Sequence, residues 1–161
     1  MKEFNITTLV REVGRTELSP DDCRLINTAK DMAAGAYAPY SKFCVGAAIL
    51  MADGSVVGGN NQENIAYPSG MCAERTAVFH ASASKPGVAM RKIAIAAGAR
   101  NEADGSVKFQ KNPISPCGGC RQALLEYEKL YGSIEVILYG EDKIYVLPSV
   151  ASLLPLSFTE F

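Results

Sequence analysis

The chain has 161 residues, 48% of them hydrophobic, with 16 basic against 17 acidic side chains and a formal net charge of -1 at pH 7. That length and apolar content suit one globular domain with a sizeable core. The near-neutral charge, without a clustered Lys/Arg stretch, offers no footprint for phosphates, so no nucleic-acid partner is expected. No apolar run is long enough to span a membrane, the opening residues lack a signal-peptide core, and five cysteines without a secretory signal argue against a disulfide framework. A cytoplasmic protein with no membrane partner is the expectation.

Residues 1–18 carry no specific pattern and are expected to form an arm that packs on a neighbour. Ser19-Pro20-Asp21-Asp22 is a good helix start, and Leu25, Ile26, Ala29 and Met32 form an apolar face that predicts a helix to about residue 36. Strands over 45–51 and 55–60 flank Asp53-Gly54, the strongest short hairpin signal in the chain. An Ala-rich helical stretch then runs from Cys72 to residue 83, followed by a buried-looking strand over 92–97. Residues 98–115 are polar and Gly-containing, which predicts a surface loop or a hairpin turning at Asp104-Gly105. A second helix is predicted over 117–131, then a strand over 135–139 and a short one over 144–147. This alternation predicts an α/β fold, a three-layer α/β/α sandwich around a mixed sheet of about five strands.

Both central helical stretches begin with cysteine: Cys72-Ala73-Glu74-Arg75, and Pro116-Cys117-Gly118-Gly119-Cys120. Structural zinc sites fill four positions with Cys or His, whereas catalytic ones use three protein ligands and keep the fourth for water. Cys72, Cys117 and Cys120 supply three. His80, the only histidine, lies eight residues past Cys72, about two helical turns away, and is read as an ordinary helix-surface residue. Helix N-termini carry free N–H groups and partial positive charge, which favour thiolates, so two helix starts can converge on one Zn2+ per chain. A tris-thiolate set is electron-rich, and a guanidinium beside the sulfurs draws charge away, the role expected of Arg75. Glu74, two residues from Cys72, can stand near the metal without binding it, the placement of a general acid/base. By itself Glu74 would more simply complement a helix N-terminus; the three thiols favour the catalytic reading. Cys44 is read as a buried strand cysteine, since a fourth protein thiolate would displace the water.

The Cys-x-Glu run followed by Pro-Cys-x-x-Cys resembles the signature of zinc nucleoside and nucleobase deaminases, with Cys in place of the His found in many relatives. The fuller pattern is similar to the cytidine deaminases of the small homotetrameric type. It comprises Tyr40-Ser41-Lys42-Phe43-Cys44-Val45-Gly46-Ala47-Ala48, Asn61-Gln62-Glu63-Asn64, Cys72-Ala73-Glu74-Arg75-Thr76-Ala77, Pro116-Cys117-Gly118-Gly119-Cys120-Arg121-Gln122 and Leu153-Leu154-Pro155. The resemblance implies a deaminase-like catalytic domain over 19–161 that converts cytidine and deoxycytidine to uridine and deoxyuridine with release of ammonia, a step of pyrimidine salvage. It implies that Asn61 and Glu63 bind the ribose hydroxyls, that Phe43 lines the pyrimidine site, that the Ala73 backbone contacts the ring, and that Phe158 packs over the base, often from a neighbouring subunit of a homotetramer. Without the resemblance, Phe43 and Phe158 read as core residues.

The rivals are a blasticidin-type deaminase, against which Asn61 and Glu63 argue; a structural zinc module, which needs Cys44 or Cys23 as fourth ligand; and a Cys117/Cys120 redox pair, which leaves Glu74 without a purpose.

Overall fold

Alternation along one strand explains the layering. In β2 (Phe43–Met51) the side chains of Ala47, Ile49 and Met51 go to one face of the sheet, and those of Ala48 and Leu50 to the other. Both sets are buried, so helices must cover both faces. A computed structural model, which describes residues 1–160, shows that they do.

On one face lies α1 (Pro20–Ala34), whose Leu25, Ile26 and Ala29 pack on Ala48, Leu50, Ala94, Ala96 and Ile137. Its start is fixed by a reciprocal cap: the Asp22 N–H donates to Ser19 Oγ at 3.1 Å, and the Ser19 N–H to Asp22 Oδ2 at 3.2 Å. On the other face lie α2 (Ala73–Ser84) and α3 (Gly118–Tyr131), which share a core with Ile49, Ile93, Ile95, Val136 and Leu138. Two glycines set the closeness of this packing. A Cβ on Gly46 would lie 1.9 Å from the Ala29 carbonyl oxygen, and one on Gly59 would lie 2.4 Å from the Ala77 nitrogen. Thus α1 and α2 both rest directly on strand backbone.

The remaining strands are β1 (Arg11–Val13), β3 (Val56–Asn60), β4 (Met90–Arg100), β5 (Val107–Phe109), β6 (Glu135–Tyr139) and β7 (Ile144–Leu147). The sheet order is β1-β7-β6-β4-β2-β3, with β5 pairing the far half of β4. Only β4 and β6 run parallel, joined by the crossover that contains α3. The three-layer mixed architecture is as expected, but the sheet has seven strands rather than about five. The two extra strands are three residues each, too short to show a period of two. One of them, β1, lies within residues 1–18 and pairs with β7 of its own chain. Gly54 and Gly105 take φ of 81° and 74° at the two predicted hairpin turns, a region open to glycine at no steric cost. Among the described residues no helix is long and apolar enough to cross a membrane.

Candidate active site

The edges of α2 and α3 meet at their N-terminal ends. Cys72 is the N-cap residue of α2, and Cys117 that of α3; neither helix has a side-chain cap, so the free N–H groups of the first turns face the thiols. Cys120 follows one turn into α3. Cys72 and Cys117 sulfurs stand 4.0 Å apart and Cys117 and Cys120 sulfurs 3.4 Å apart, and the set of three lies within 4.8 Å. Tetrahedral zinc–thiolate bonds of about 2.3 Å require sulfurs about 3.8 Å apart, so the spacing fits. Among the described residues no other Cys or His joins the group. Cys44 is fully buried with Ala33, Ala36 and Ala38, and Cys23 lies on α1 across the sheet, so neither completes a closed structural site. His80 meets the Gly58 carbonyl, with its Nδ1 at 3.2 Å, on the outside of α2.

The charges around the sulfurs are unevenly met. Arg75 Nη2 donates to Cys72 Sγ at 3.7 Å, while Arg75 Nε is buried with no partner. An unsatisfied guanidinium N–H beside three thiols is a second sign that the group suits a cation held by thiolates. Burial pushes the Cys117 thiol up, but hydrogen bonds from the Cys120 backbone N–H and from the Cys120 and Cys72 thiols leave it below its ordinary value. Cys120 is pushed well up by burial, then by the carboxylate of Glu74. Glu74 itself is 6% exposed. Its burial raises the carboxyl pKa, against the pull of its own backbone N–H, the Cys120 thiol and the Arg75 charge.

These groups form one wall of a cavity of about 480 Å³, large enough for a small organic molecule. Cys72, Ala73, Glu74, Arg75 and Cys117 line that wall, and Phe43, Asn61 and Glu63, on β2 and the segment after β3, line another. Asn61 is held at both amide atoms: Val45 N–H donates to its Oδ1 at 2.8 Å, and its Nδ2 donates to the Phe43 carbonyl at 2.9 Å. Glu63 accepts from the N–H groups of Tyr40 and Ser41 at 2.9 and 3.2 Å, and closely from the Ser41 hydroxyl. Those bonds, the Ser41 hydroxyl first, outweigh its partial burial and lower its pKa.

The structure thus brings Phe43, Asn61, Glu63, Ala73, Glu74, Arg75, Cys72 and Cys117 around one cavity, with Cys120 buried against Cys117. Phe158 is 66% exposed and lies apart from that lining, its carbonyl accepting from Gln122 Nε2 at 2.8 Å. Tyr67, Met71, Ile114 and Ser115 also line the cavity, and no motif pointed to them. Ser41, Val45, Gln62 and Asn64, which line it too, stood within recognised runs.

Comparison with known proteins gives a consistent result. The family described as the cytidine and deoxycytidylate deaminase zinc-binding region matches residues 19–132. A cytidine deaminase of Sporosarcina psychrophila is 42% identical over 138 residues, covering 85% of this chain and 90% of that protein. One from Halalkalibacterium halodurans is 47% identical over 103 residues, covering 63% of this chain and 68% of that protein. The crystal structure of cytidine deaminase from Burkholderia pseudomallei superposes with a TM-score of 0.69 at 40% identity, covering 84% of this chain and 98% of that one.

Proposed function

This chain belongs to the cytidine and deoxycytidylate deaminase family, and from that premise we propose that it hydrolyses cytidine and deoxycytidine to uridine and deoxyuridine with release of ammonia, as a step of pyrimidine salvage. The observation that carries this reading is a cluster of three thiols beside a buried Glu74 at a cavity that Asn61 and Glu63 also line.

Cys72, Cys117 and Cys120 would hold one zinc ion. When bound, zinc supplies Lewis acidity that lowers the pKa of a water molecule toward neutrality. Glu74 carries the protons. It takes one from the attacking water and gives it to N3 of the cytosine ring as oxygen adds at C4, then moves the remaining proton of that oxygen to the amino group, and the C4–N bond breaks to release ammonia. Burial raises the pKa of this carboxyl, so it holds an accepted proton more readily than an exposed carboxylate would. Arg75 draws charge from the Cys72 sulfur. Phe43 lines the pyrimidine site, and the Ala73 backbone, at the first turn of α2, contacts the ring.

Asn61 and Glu63 meet the ribose hydroxyls. Three donors already fix Glu63, which leaves lone-pair capacity on a carboxylate that cannot swing away from the cavity. The assembly we assign is a homotetramer. Phe4, Ile6 and Leu9 of the arm are 75%, 50% and 55% exposed, and Phe158 faces outward, all suited to contact with neighbouring copies.

The test is cytidine turnover by the zinc-loaded protein, followed by ultraviolet absorbance, with Glu74→Gln as the matched control. Conversion by the wild type and its loss in the variant are expected. A wild type that holds one zinc per chain but leaves cytidine unchanged would refute the substrate.

A further inference from the structure

The first turn of α3 holds a side chain that the reaction does not use. Arg121 follows Cys120 directly, and its guanidinium makes three bonds of 2.8 Å: Nε to the Pro116 carbonyl, Nη2 to Ser115 Oγ, and Nη1 to the Leu153 carbonyl. Two of these grip the residues just before Cys117. The third leaves the helix and reaches the segment after β7. Arg121 has no ion pair among the described residues, and all three acceptors are neutral. Its planar fork therefore fixes relative positions rather than balancing a charge.

The far acceptor is itself held. Glu128, seven residues on and about two turns along α3, is buried and accepts from the N–H groups of Val150 at 2.7 Å and Ala151 at 2.8 Å, as well as Ile134 at 2.8 Å. Val150 is fully buried and Leu153 nearly so, in the core shared by α2 and α3. A continuous set of bonds thus runs from Glu128 through residues 150–153 to Arg121, and from Arg121 to Ser115-Pro116. Cys117 comes next. It is the exposed member of the three thiols and the cap of a helix that lacks a side-chain cap, so it has the least support of its own.

We infer that Arg121 is a positioning residue that couples the docking of residues 149–154 on α3 to the placement of Cys117, and so sets how firmly the three thiols hold zinc. The inference rests on the reading of those thiols as a zinc site. Partners that orient metal ligands alter metal affinity by about 10- to 100-fold when removed.

The experiment is a double-mutant cycle on the full chain, with Arg121→Met and Glu128→Gln. It reads zinc affinity by competition with a chromophoric chelator, and the thiolate–cobalt absorption after cobalt substitution. Arg121→Met is expected to weaken zinc about 10- to 100-fold and to shift the cobalt band. Glu128→Gln should weaken it less. The double variant should bind zinc as Arg121→Met does, because both changes cut the same path. A role confined to stability would lower the melting temperature of both variants yet leave affinity and cobalt band as in the wild type. That result, or strictly additive losses in affinity, overturns the coupling. If Arg121→Met does not fold, Arg121→Lys, which keeps the charge but not the fork, takes its place in the cycle with an intermediate loss expected. A wild type that takes up no zinc would instead refute the zinc site itself and the inference with it.

Discussion

The two walls of the cavity are built on opposite plans. On the thiol wall the polar groups have few partners beyond one another: three sulfurs within 4.8 Å of one another, a buried Arg75 Nε with no partner, and a Glu74 pushed toward its protonated form. On the other wall Asn61 is bonded at both ends of its amide to the β2 backbone, and Glu63 takes three donors from the turn before β2. One wall is completed by something it must bind, and the other is complete before anything arrives. A metal site needs ligands free to bond to an ion, whereas the ribose site we propose at Asn61 and Glu63 gains from side chains whose freedom has already been spent.

Removing a group from the unfinished wall should therefore be nearly all-or-none. Cys117→Ala should abolish zinc retention and cytidine turnover together, as metal analysis and an absorbance assay on one preparation will show. Glu74→Gln separates the two. It keeps the three thiols, so zinc should remain at one per chain, while turnover falls by about 10²- to 10⁴-fold, the usual contribution of a positioned proton carrier. Loss of zinc from Glu74→Gln would mean that this carboxylate supports the metal rather than the chemistry.

On the finished wall the same operation should produce a graded loss. Asn61→Ala leaves the Val45 N–H and the Phe43 carbonyl without their partner, at a cost of about 1–3 kcal/mol in stability. It should raise the KM for cytidine about tenfold, a single hydrogen bond's worth, with a smaller change in kcat and zinc content intact. Denaturant unfolding and steady-state kinetics read the two effects separately. A fall in kcat as large as that of Glu74→Gln would erase the distinction between the walls.

The same division explains what could be read from the chain before its fold was known. Cys117 and Cys120 stand three residues apart at a helix start, and Cys72 and Glu74 two apart at another. Those intervals fall within single helical turns, so local geometry predicts each pair, while the approach of Cys72 to Cys117 across 45 residues followed from the number of ligands a zinc site needs. The bonds of Asn61 and Glu63 go to backbone groups 16 to 23 residues away, set by the register of β2 against β3 and by the turn at residues 40–41. No spacing encodes that, and only the resemblance pointed to the pair. The major strands were legible because each holds at least four residues, whereas β1 and β5 exist only through their partners β7 and β4. The Arg121 fork was invisible for the same reason, since its third acceptor lies 32 residues away.

The smallest effect is also the one that most sharply opposes the two walls: their response to acid in the metal-free protein. Glu63 titrates below its ordinary value of 4.5, because the Ser41 hydroxyl and two N–H groups favour its carboxylate. Its contribution to stability is thus present above pH 4.5 and lost as pH falls through its lower folded value. Glu74 titrates above 4.5, because burial disfavours its charge. Its protonated form stabilises the fold, and that contribution is lost as pH rises from 4.5 through the raised folded value. Urea unfolding of metal-free samples across this range should show wild type losing its advantage over Glu63→Gln as the solution is acidified. The Glu74→Gln variant should gain on wild type as the solution is made more basic. Glu63 is in good contact with solvent, so its difference should stay under about 1 kcal/mol, while the buried Glu74 should give the larger of the two. Curves that move in the same direction would show that both carboxylates sit in equivalent surroundings, and the contrast between an unfinished and a finished wall would fail.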